Sequence, residues 1–146
     1  MHRLSAILLS LVLLLGAIAS SALAQNIEYR PVEDQLFGVS SVVPADWQDL
    51  GGGTYSRGTP PEDLALIAIQ AAPATIDQLW ANLLPQFALT EVPEVTGESV
   101  AGGFDWTLYR FDVTLGPTTI AVELALSEND GVTSLVLLQS DSAEFE

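Results

Sequence analysis

The chain has 146 residues, a length typical of one domain, and its 19 acidic residues against 4 basic ones give a formal net charge of −15. It contains no cysteine, which excludes disulfides, thiol nucleophiles and cysteine zinc sites. All four basic residues are arginines, so lysine Schiff bases and the serine–lysine pair of penicillin-recognising enzymes are excluded as well. The acidity disfavours nucleic acids and anionic membrane surfaces as partners, because both repel a negatively charged protein.

The first 24 residues have the three parts of a secretory signal peptide. Arg3 is a short positive region, Leu4 to Ala19 is an apolar run, and Ala22 and Ala24 supply small residues at the −3 and −1 positions. We therefore expect cleavage after Ala24 and a secreted or extracytoplasmic mature chain. An uncleaved membrane anchor is the alternative, although the apolar run is shorter than the roughly 20 residues that a bilayer span prefers.

Removal of this segment would also remove His2, the single histidine of the sequence. The mature chain would carry 3 arginines and 19 acidic residues, hence a charge of −16, and no imidazole, thiol or lysine amine. A Ser-His-Asp triad is then excluded, because it needs an imidazole to take the serine proton. Catalysis by carboxylates alone, as in glycosidases, and binding of hard cations such as Ca²⁺ stay open.

The first part of the mature chain predicts a loose lead-in followed by short strands. Residues 25–35 are polar and contain Pro31, so we expect the folded domain to begin at residue 36. The Val43–Trp47 segment is a proline turn, and Gly51–Gly53 separates two short extended segments that we interpret as a hairpin. The apolar run Leu64–Ala71 is bounded by turn residues and predicts a strand buried on both faces.

The clearest helical pattern covers residues 75–84. Thr75 and Gln78 have the spacing of a capping box, and apolar residues follow at the i, i+3, i+4 spacing of one helix face. Trp80 lies in that apolar stripe, so we interpret it as a core side chain rather than a ligand platform. Pro85 should end the helix.

The C-terminal third has the strongest β pattern. A weak strand is predicted at Pro93–Val100. The segments Asp105–Thr114 and Ile120–Leu126 each place apolar side chains on one face, and Val132–Gln139 is apolar on both faces. The short connections between them, including a predicted hairpin loop at Ser127–Gly131, indicate a three-strand antiparallel meander.

The last strand and the residues after it suggest that the sheet needs further cover. Val132–Gln139 has apolar side chains on both faces, so both faces are expected to be buried, whereas one helix covers only one face. Residues Ser142–Glu146 have the pattern of the first turn of a second helix, where the sequence stops. We therefore expect an N-terminal fragment of a longer protein, with a C-terminal domain or partner protein packing on the sheet. A frayed tail is the alternative.

The acidic residues do not predict a catalytic, cofactor-binding or metal site. The Ser127–Gly131 loop carries several oxygen ligands but lacks the spacing and the downstream glutamate of an EF-hand. The adjacent pairs Glu33-Asp34 and Glu62-Asp63 are interpreted as solvated surface. Asp105 and Asp112, seven residues apart in one strand, face opposite sides and cannot form the carboxylate pair of a glycosidase.

The remaining candidate residues are also expected to be structural. Arg110 stands between acids in a predicted strand, which indicates a surface ion pair. Gly51–Gly53 is not a phosphate-binding loop, because no lysine follows it. Trp47 and Trp106 are expected in the core or at a sheet edge, with stacking on a carbohydrate as the alternative.

Several segments resemble a known domain family. Leu36–Arg57 has an extended segment, a Val-Pro-x-x-Trp turn and a hairpin, and the later matches are the strand Leu64–Ala71, the helix around Leu79–Ala81, the segment Pro85–Leu89 and the strand Ser134–Leu138. On these points residues 36–146 resemble a PsbP-like α+β domain. They are similar to the extracytoplasmic N-terminal domain that precedes bacterial β-lactamase-related serine hydrolase domains. The resemblance carries over no catalytic residue, and it implies that any hydrolase domain lies beyond Glu146.

These patterns predict a secreted α+β domain with an antiparallel meander, one packed helix and the start of a second, C-terminal helix. Its expected role is non-catalytic and cofactor-free, as an accessory or interaction domain of a larger exported, serine hydrolase-like protein. The alternative is a small carbohydrate-binding module or a carboxylate-based hydrolase. An interaction domain should expose one contiguous apolar sheet face with no deep pocket, whereas an enzyme should have a concave pocket of converging carboxylates, at least one with a raised pKa.

Overall fold

A computed structural model describes residues 27–34 and 38–144 of the chain. Its elements are β1 (Tyr29–Asp34), β2 (Val39–Pro44), β3 (Gln48–Gly51), β4 (Thr54–Ser56), β5 (Leu66–Ala72), α1 (Ile76–Gln86), β6 (Val95–Ala101), β7 (Phe104–Leu115), β8 (Thr118–Asn129), β9 (Val132–Asp141) and a final 3₁₀ turn (Ser142–Glu144). The strands form two antiparallel sheets. One pairs β1 with β2, and the other has seven strands in the order β3-β4-β5-β9-β8-β7-β6.

The fold is β-rich, and the predicted α+β class is wrong. Strands hold 58% of the described residues, whereas α1 has only 11. Part of the error lies in residues 25–35, which we expected as a loose lead-in: Tyr29–Asp34 forms β1 and pairs with β2 at six positions. Pro31 is tolerated in β1 because each strand of a two-stranded sheet has an open edge that needs no N–H donor.

The predicted three-strand meander is confirmed and forms the centre of the large sheet. β7 pairs with β8 at nine positions, and β8 pairs with β9 at ten. The loop predicted at Ser127–Gly131 is shorter than expected, because β8 continues to Asn129. Asp130 and Gly131 alone make the turn, with φ of 51° and 76°, as a two-residue hairpin requires.

One face of the large sheet packs against α1. The predicted capping box is confirmed: the Thr75 hydroxyl accepts the Gln78 N–H at 3.3 Å, and the Gln78 side chain accepts the Thr75 N–H at 3.0 Å. Trp80 and Leu83 are buried against the inward-facing side chains of the meander, as the alternation predicted. Pro85 does not end the helix, which continues to Gln86 and closes with a bond from the Phe87 N–H to the Leu83 carbonyl.

The other face of the large sheet is partly covered by the β1–β2 hairpin. Val39 and Val43 pack with Tyr55 of β4 and Ile69 of β5, and Val136 of β9 packs against this second apolar cluster. β5 therefore contributes to an apolar cluster on each side of the sheet, as its unbroken apolar run predicted. Part of the cover that β9 was expected to need from outside comes from the chain's own hairpin.

The predicted ends of the chain differ from the structure or fall outside it. The expected start of a second helix is a 3₁₀ turn at Ser142–Glu144, and residues 145–146 lie outside the described residues. The predicted signal peptide, residues 1–24, lies outside them too. Within residues 27–34 and 38–144, no helix combines the length and the apolar character needed to cross a membrane.

Candidate functional site

A groove opens on the outer side of β7, β8 and β9, the side turned away from α1. Cross-strand pairing places six side chains in two adjacent rows on this side. The rows are Leu108–Ala125–Val136 and Arg110–Glu123–Leu138. Together with Thr96 at its β6 side and with Tyr109 and Leu124 between the rows, this set lines a cavity of about 490 Å³, which we call the outer-face groove.

The depth of the groove comes from small residues beside larger ones. Ala125 lies between Leu108 and Val136, and Gly97 of β6 lies opposite Leu108. The Ala125 side chain is shorter than those of Leu108 and Val136 on either side of it, so the sheet surface is recessed at this position. Leu108, Ala125, Val136 and Leu138 are only half-buried. The groove is therefore apolar surface that remains in contact with solvent.

An ion pair borders the apolar floor. Arg110 Nη1 lies 3.6 Å from Glu123 Oε1, and both side chains are about half exposed, at 49% and 47%. The surface ion pair predicted for Arg110 is confirmed. Exposed pairs of this kind contribute at most about 1 kcal/mol to stability. The pair therefore matters more as a polar border of the groove than as a stabilising contact.

A second polar cluster joins the 3₁₀ turn to the loop between β4 and β5. Arg57 Nε lies 2.7 Å from Asp63 Oδ2, and Arg57 Nη2 lies 2.7 Å from Glu144 Oε2. The Ser140 hydroxyl also donates a hydrogen bond to Glu144. We call these four residues the C-terminal clasp. Asp63, which we interpreted as a solvated surface acid, is instead tied into this network.

The electrostatics of the clasp favour charged carboxylates. The Arg57 guanidinium, and then the Ala65 N–H, hold the pKa of Asp63 below its usual range. The Ser140 hydroxyl and Arg57 likewise lower the pKa of Glu144. A general acid needs a raised pKa, so these groups have the properties of structural anions rather than proton donors.

One acidic residue near the β8–β9 turn stabilises the start of the helix. Glu128 reaches across to α1, where its Oε2 accepts the Ile76 N–H at 2.8 Å. A carboxylate at a helix N-terminus satisfies an unpaired donor and interacts favourably with the helix dipole. Sequence spacing could not reveal this contact, because the two residues are 52 positions apart.

The other predicted site residues are not brought together. Asp105 pairs with Val100 and Asp112 with Ala121, so the two carboxylates lie on opposite faces of β7, as their spacing predicted. The Trp106 indole donates to the Ala101 carbonyl, and the centres of the Trp106 and Phe104 rings are 5.6 Å apart, which places Trp106 beside the β6–β7 turn. In the described part of the chain, no group of three or more acidic side chains is placed to hold a metal ion.

Trp47 is a partly buried neighbour of the second apolar cluster, beneath the β1–β2 hairpin. Its carbonyl accepts a hydrogen bond from Arg30 Nη2 at 3.2 Å, and the Arg30 guanidinium lies 5.3 Å from the centre of the Tyr55 ring. Arg30 thus connects β1 both to the backbone at Trp47 and to the Tyr55 ring of β4. The residue contributes to packing at this position.

No protein-family model matches the chain, and no curated protein matches its sequence. Among solved structures, it is similar to PA94 from Pseudomonas aeruginosa, a protein of unknown function proposed there as a regulator. The TM-score is 0.45 with 12% identity, covering 81% of this chain and 86% of that one. The description of the Pseudomonas protein mentions neither a PsbP-like domain nor a serine hydrolase. The resemblance of residues 36–146 to a PsbP-like domain therefore stays a prediction.

Proposed function

We propose that this protein is a non-catalytic, extracytoplasmic interaction domain that binds an apolar segment carrying lysine or arginine in its outer-face groove. The bound segment would belong to the larger exported protein of which the domain is an accessory, or to its partner. The observation that carries the proposal is the groove itself, an apolar recess on the solvent side of the central meander.

The apolar character of the groove supports burial by a partner. Its floor is formed by the aliphatic side chains Leu108, Ala125, Val136 and Leu138, all half-buried. Removing apolar surface from water is favourable by about 25 cal/mol per Å², and the loss of translational and rotational freedom on association offsets part of this gain. A recess of about 490 Å³ is large enough to receive several aliphatic side chains.

The charge of the chain supports a basic partner. The formal net charge is −15, and the arginines of the described residues are engaged within the fold. Arg57 is bound by Asp63 and Glu144, Arg110 pairs with Glu123, and Arg30 lies over Tyr55. An acidic segment would be repelled as it approached, whereas a basic one would be attracted and would bind faster.

Three short peptides test this proposal: an amphipathic peptide of Leu and Lys, one with Glu in place of each Lys, and one with Ser in place of each Leu. Binding is measured by fluorescence anisotropy. The Leu/Lys peptide should bind, and both matched peptides should bind much more weakly. Equal binding of the Leu/Glu peptide contradicts the charge argument, and equal binding of the Ser/Lys peptide contradicts the apolar one.

A pair of protein variants locates the binding. Ala125→Glu places a carboxylate on the groove floor, whereas Val42→Glu adds the same charge on the outward side of the hairpin, where Val42 is 58% exposed. Ala125→Glu should lower the affinity for the Leu/Lys peptide by about tenfold or more, because burying a carboxylate against apolar groups costs over about 1.4 kcal/mol. Val42→Glu should leave the affinity unchanged. Equal effects of the two variants would overturn the groove assignment.

A further inference from the structure

The edge strand β6 has features of a second binding surface, separate from the groove. β6 is the last strand of the seven-stranded sheet, and within residues 27–34 and 38–144 no strand pairs with its outer edge. It is seven residues long, and Val95 and Val100 are 54% and 77% exposed. The opposite edge, β3, is only four residues long and irregular between Asp49 and Gly51. Short, irregular edges resist further pairing, whereas a longer edge with exposed valines does not.

The pairing of β6 with β7 decides which backbone groups face outward. Gly102 and Gly103, with φ of 63° and 81°, form a two-residue turn, so Ala101 and Phe104 are the hydrogen-bonded pair beside it. In an antiparallel ladder, hydrogen-bonded and non-hydrogen-bonded pairs alternate. Ser99 therefore bonds to its partner on β7, while the N–H and C=O of Val100 and Glu98 point away from the sheet.

The side chains along this edge are acidic and apolar. Glu98 and Asp105 line a depression of about 330 Å³ together with Val100 and Trp106. The exposed Val100 offers apolar contact, and the two carboxylates offer ion pairs at neighbouring positions. Glu98, Val100 and Asp105 share one face of the sheet, and Trp106 lies on the other. An added strand with alternating basic and aliphatic side chains would place its basic groups beside Glu98 and Asp105, with their methylene stems over Val100, and its aliphatic side chains beside Trp106.

We propose that the free edge of β6 binds an extended basic segment of a partner protein as an additional, eighth strand of the large sheet. The backbone groups of Glu98 and Val100 supply the hydrogen bonds, and Glu98 with Asp105 selects for lysine or arginine. A second copy of this chain fits less well. It would place Glu98 and Asp105 near their own counterparts, and each chain carries a net charge of −15.

Amide hydrogen exchange with an extended peptide of alternating Val and Lys tests this inference. In the free protein, the Glu98 and Val100 amides should exchange quickly, while the Ser99 amide should be protected by its bond to β7. The Val/Lys peptide should protect Glu98 and Val100, and the same peptide with a central Pro should not. If the Glu98 and Val100 amides are already protected in the free protein, or stay unprotected with saturating peptide, the inference is wrong.

Protein variants distinguish binding at the edge of β6 from binding in the outer-face groove. Glu98→Gln should lower the affinity for the Val/Lys peptide by up to about fivefold. Glu33→Gln, at an exposed position of β1, is the matched control and should leave the affinity unchanged. Glu98→Pro should weaken it about tenfold by removing an outward donor. Ala125→Glu should leave the protection of Glu98 and Val100 unchanged. Loss of that protection in Ala125→Glu, equal effects of the two Gln variants, or self-association through β6 would contradict the edge assignment.

Discussion

The two faces of the β7–β8–β9 meander differ in what covers them. On the inner face, Leu124 and Leu126 are 1% and 0% exposed beneath α1. On the outer face, the alternating residues of the same strands, such as Leu108 and Leu138, are only half-buried. Both faces contain aliphatic side chains, so composition does not distinguish them. The difference comes from neighbouring elements: α1 packs against the centre of one face, and the β1–β2 hairpin packs against only part of the other.

The largest effect is expected where the inner face meets α1. Trp80 is 3% exposed and contacts Tyr109 edge to face, with ring centres 5.0 Å apart. Trp80→Ala should lower the free energy of unfolding by about 3–5 kcal/mol, because it removes an aromatic anchor and leaves a cavity. Urea denaturation measures this loss. A change below about 1 kcal/mol would show that α1 does not complete the core.

A smaller effect is expected under the hairpin. Val43 is fully buried in the second apolar cluster. Val43→Ala should lower the free energy of unfolding by about 1–3 kcal/mol, since it removes two buried methyl groups and leaves a small cavity. Val42→Ala, at the exposed neighbouring position, is the control and should change little. Equal effects of the two substitutions would mean that the hairpin does not pack on the outer face.

A smaller, pH-dependent effect is expected at the C-terminal clasp. Asp63 and Glu144 have lowered pKa values in the folded protein, so their stabilising contribution is present at neutral pH. It is lost as pH falls through their folded pKa values, from about pH 4 downward. Arg57→Gln should therefore lower the thermal midpoint at pH 7 and lose this effect in acid.

The matched control for the clasp is Arg110→Gln, whose exposed pair with Glu123 is longer, at 3.6 Å. Its effect on the thermal midpoint should be smaller than that of Arg57→Gln at pH 7. Thermal unfolding followed by circular dichroism at several pH values makes the comparison. A difference between wild type and Arg57→Gln that stays constant down to pH 2 would contradict the assigned ion pairs.

The smallest effect on stability is expected in the groove itself. Ala125 is half-buried and has open space above it, so Ala125→Ser should leave the free energy of unfolding within about 0.5 kcal/mol of wild type. The equivalent change on the inner face, Ala68→Ser, is expected to cost more because Ala68 is buried in the core. Urea denaturation of both variants compares the faces directly.

Local patterns in the sequence predicted the parts of the fold that local physics decides. The capping box at Thr75, the alternation of β7 and β8, and the hairpin at Gly51–Gly53 each depend on residues close together in the chain. β1 was missed because its residues are polar and include Pro31, and its pairing with β2 became visible only in the structure.

The candidate site was less predictable because it is formed by residues that are far apart in the sequence. The sequence showed that β9 is apolar on both faces, but it did not show where the β1–β2 hairpin would lie. Whether Leu138 is core or open surface depends on that position. The Arg57–Glu144 pair joins residues 87 positions apart, and no spacing rule brings them together.

The most direct test of the central claim is a methyl NMR spectrum of the protein titrated with the Leu/Lys peptide. The claim is that the outer face binds while the inner face is a closed core. The methyl signals of Leu108, Ala125 and Leu138 should shift with peptide, whereas those of Leu126 and Leu137, which are buried in the core and do not line the groove, should not. Shifts confined to the inner face, or no shifts at saturating peptide, would contradict the account.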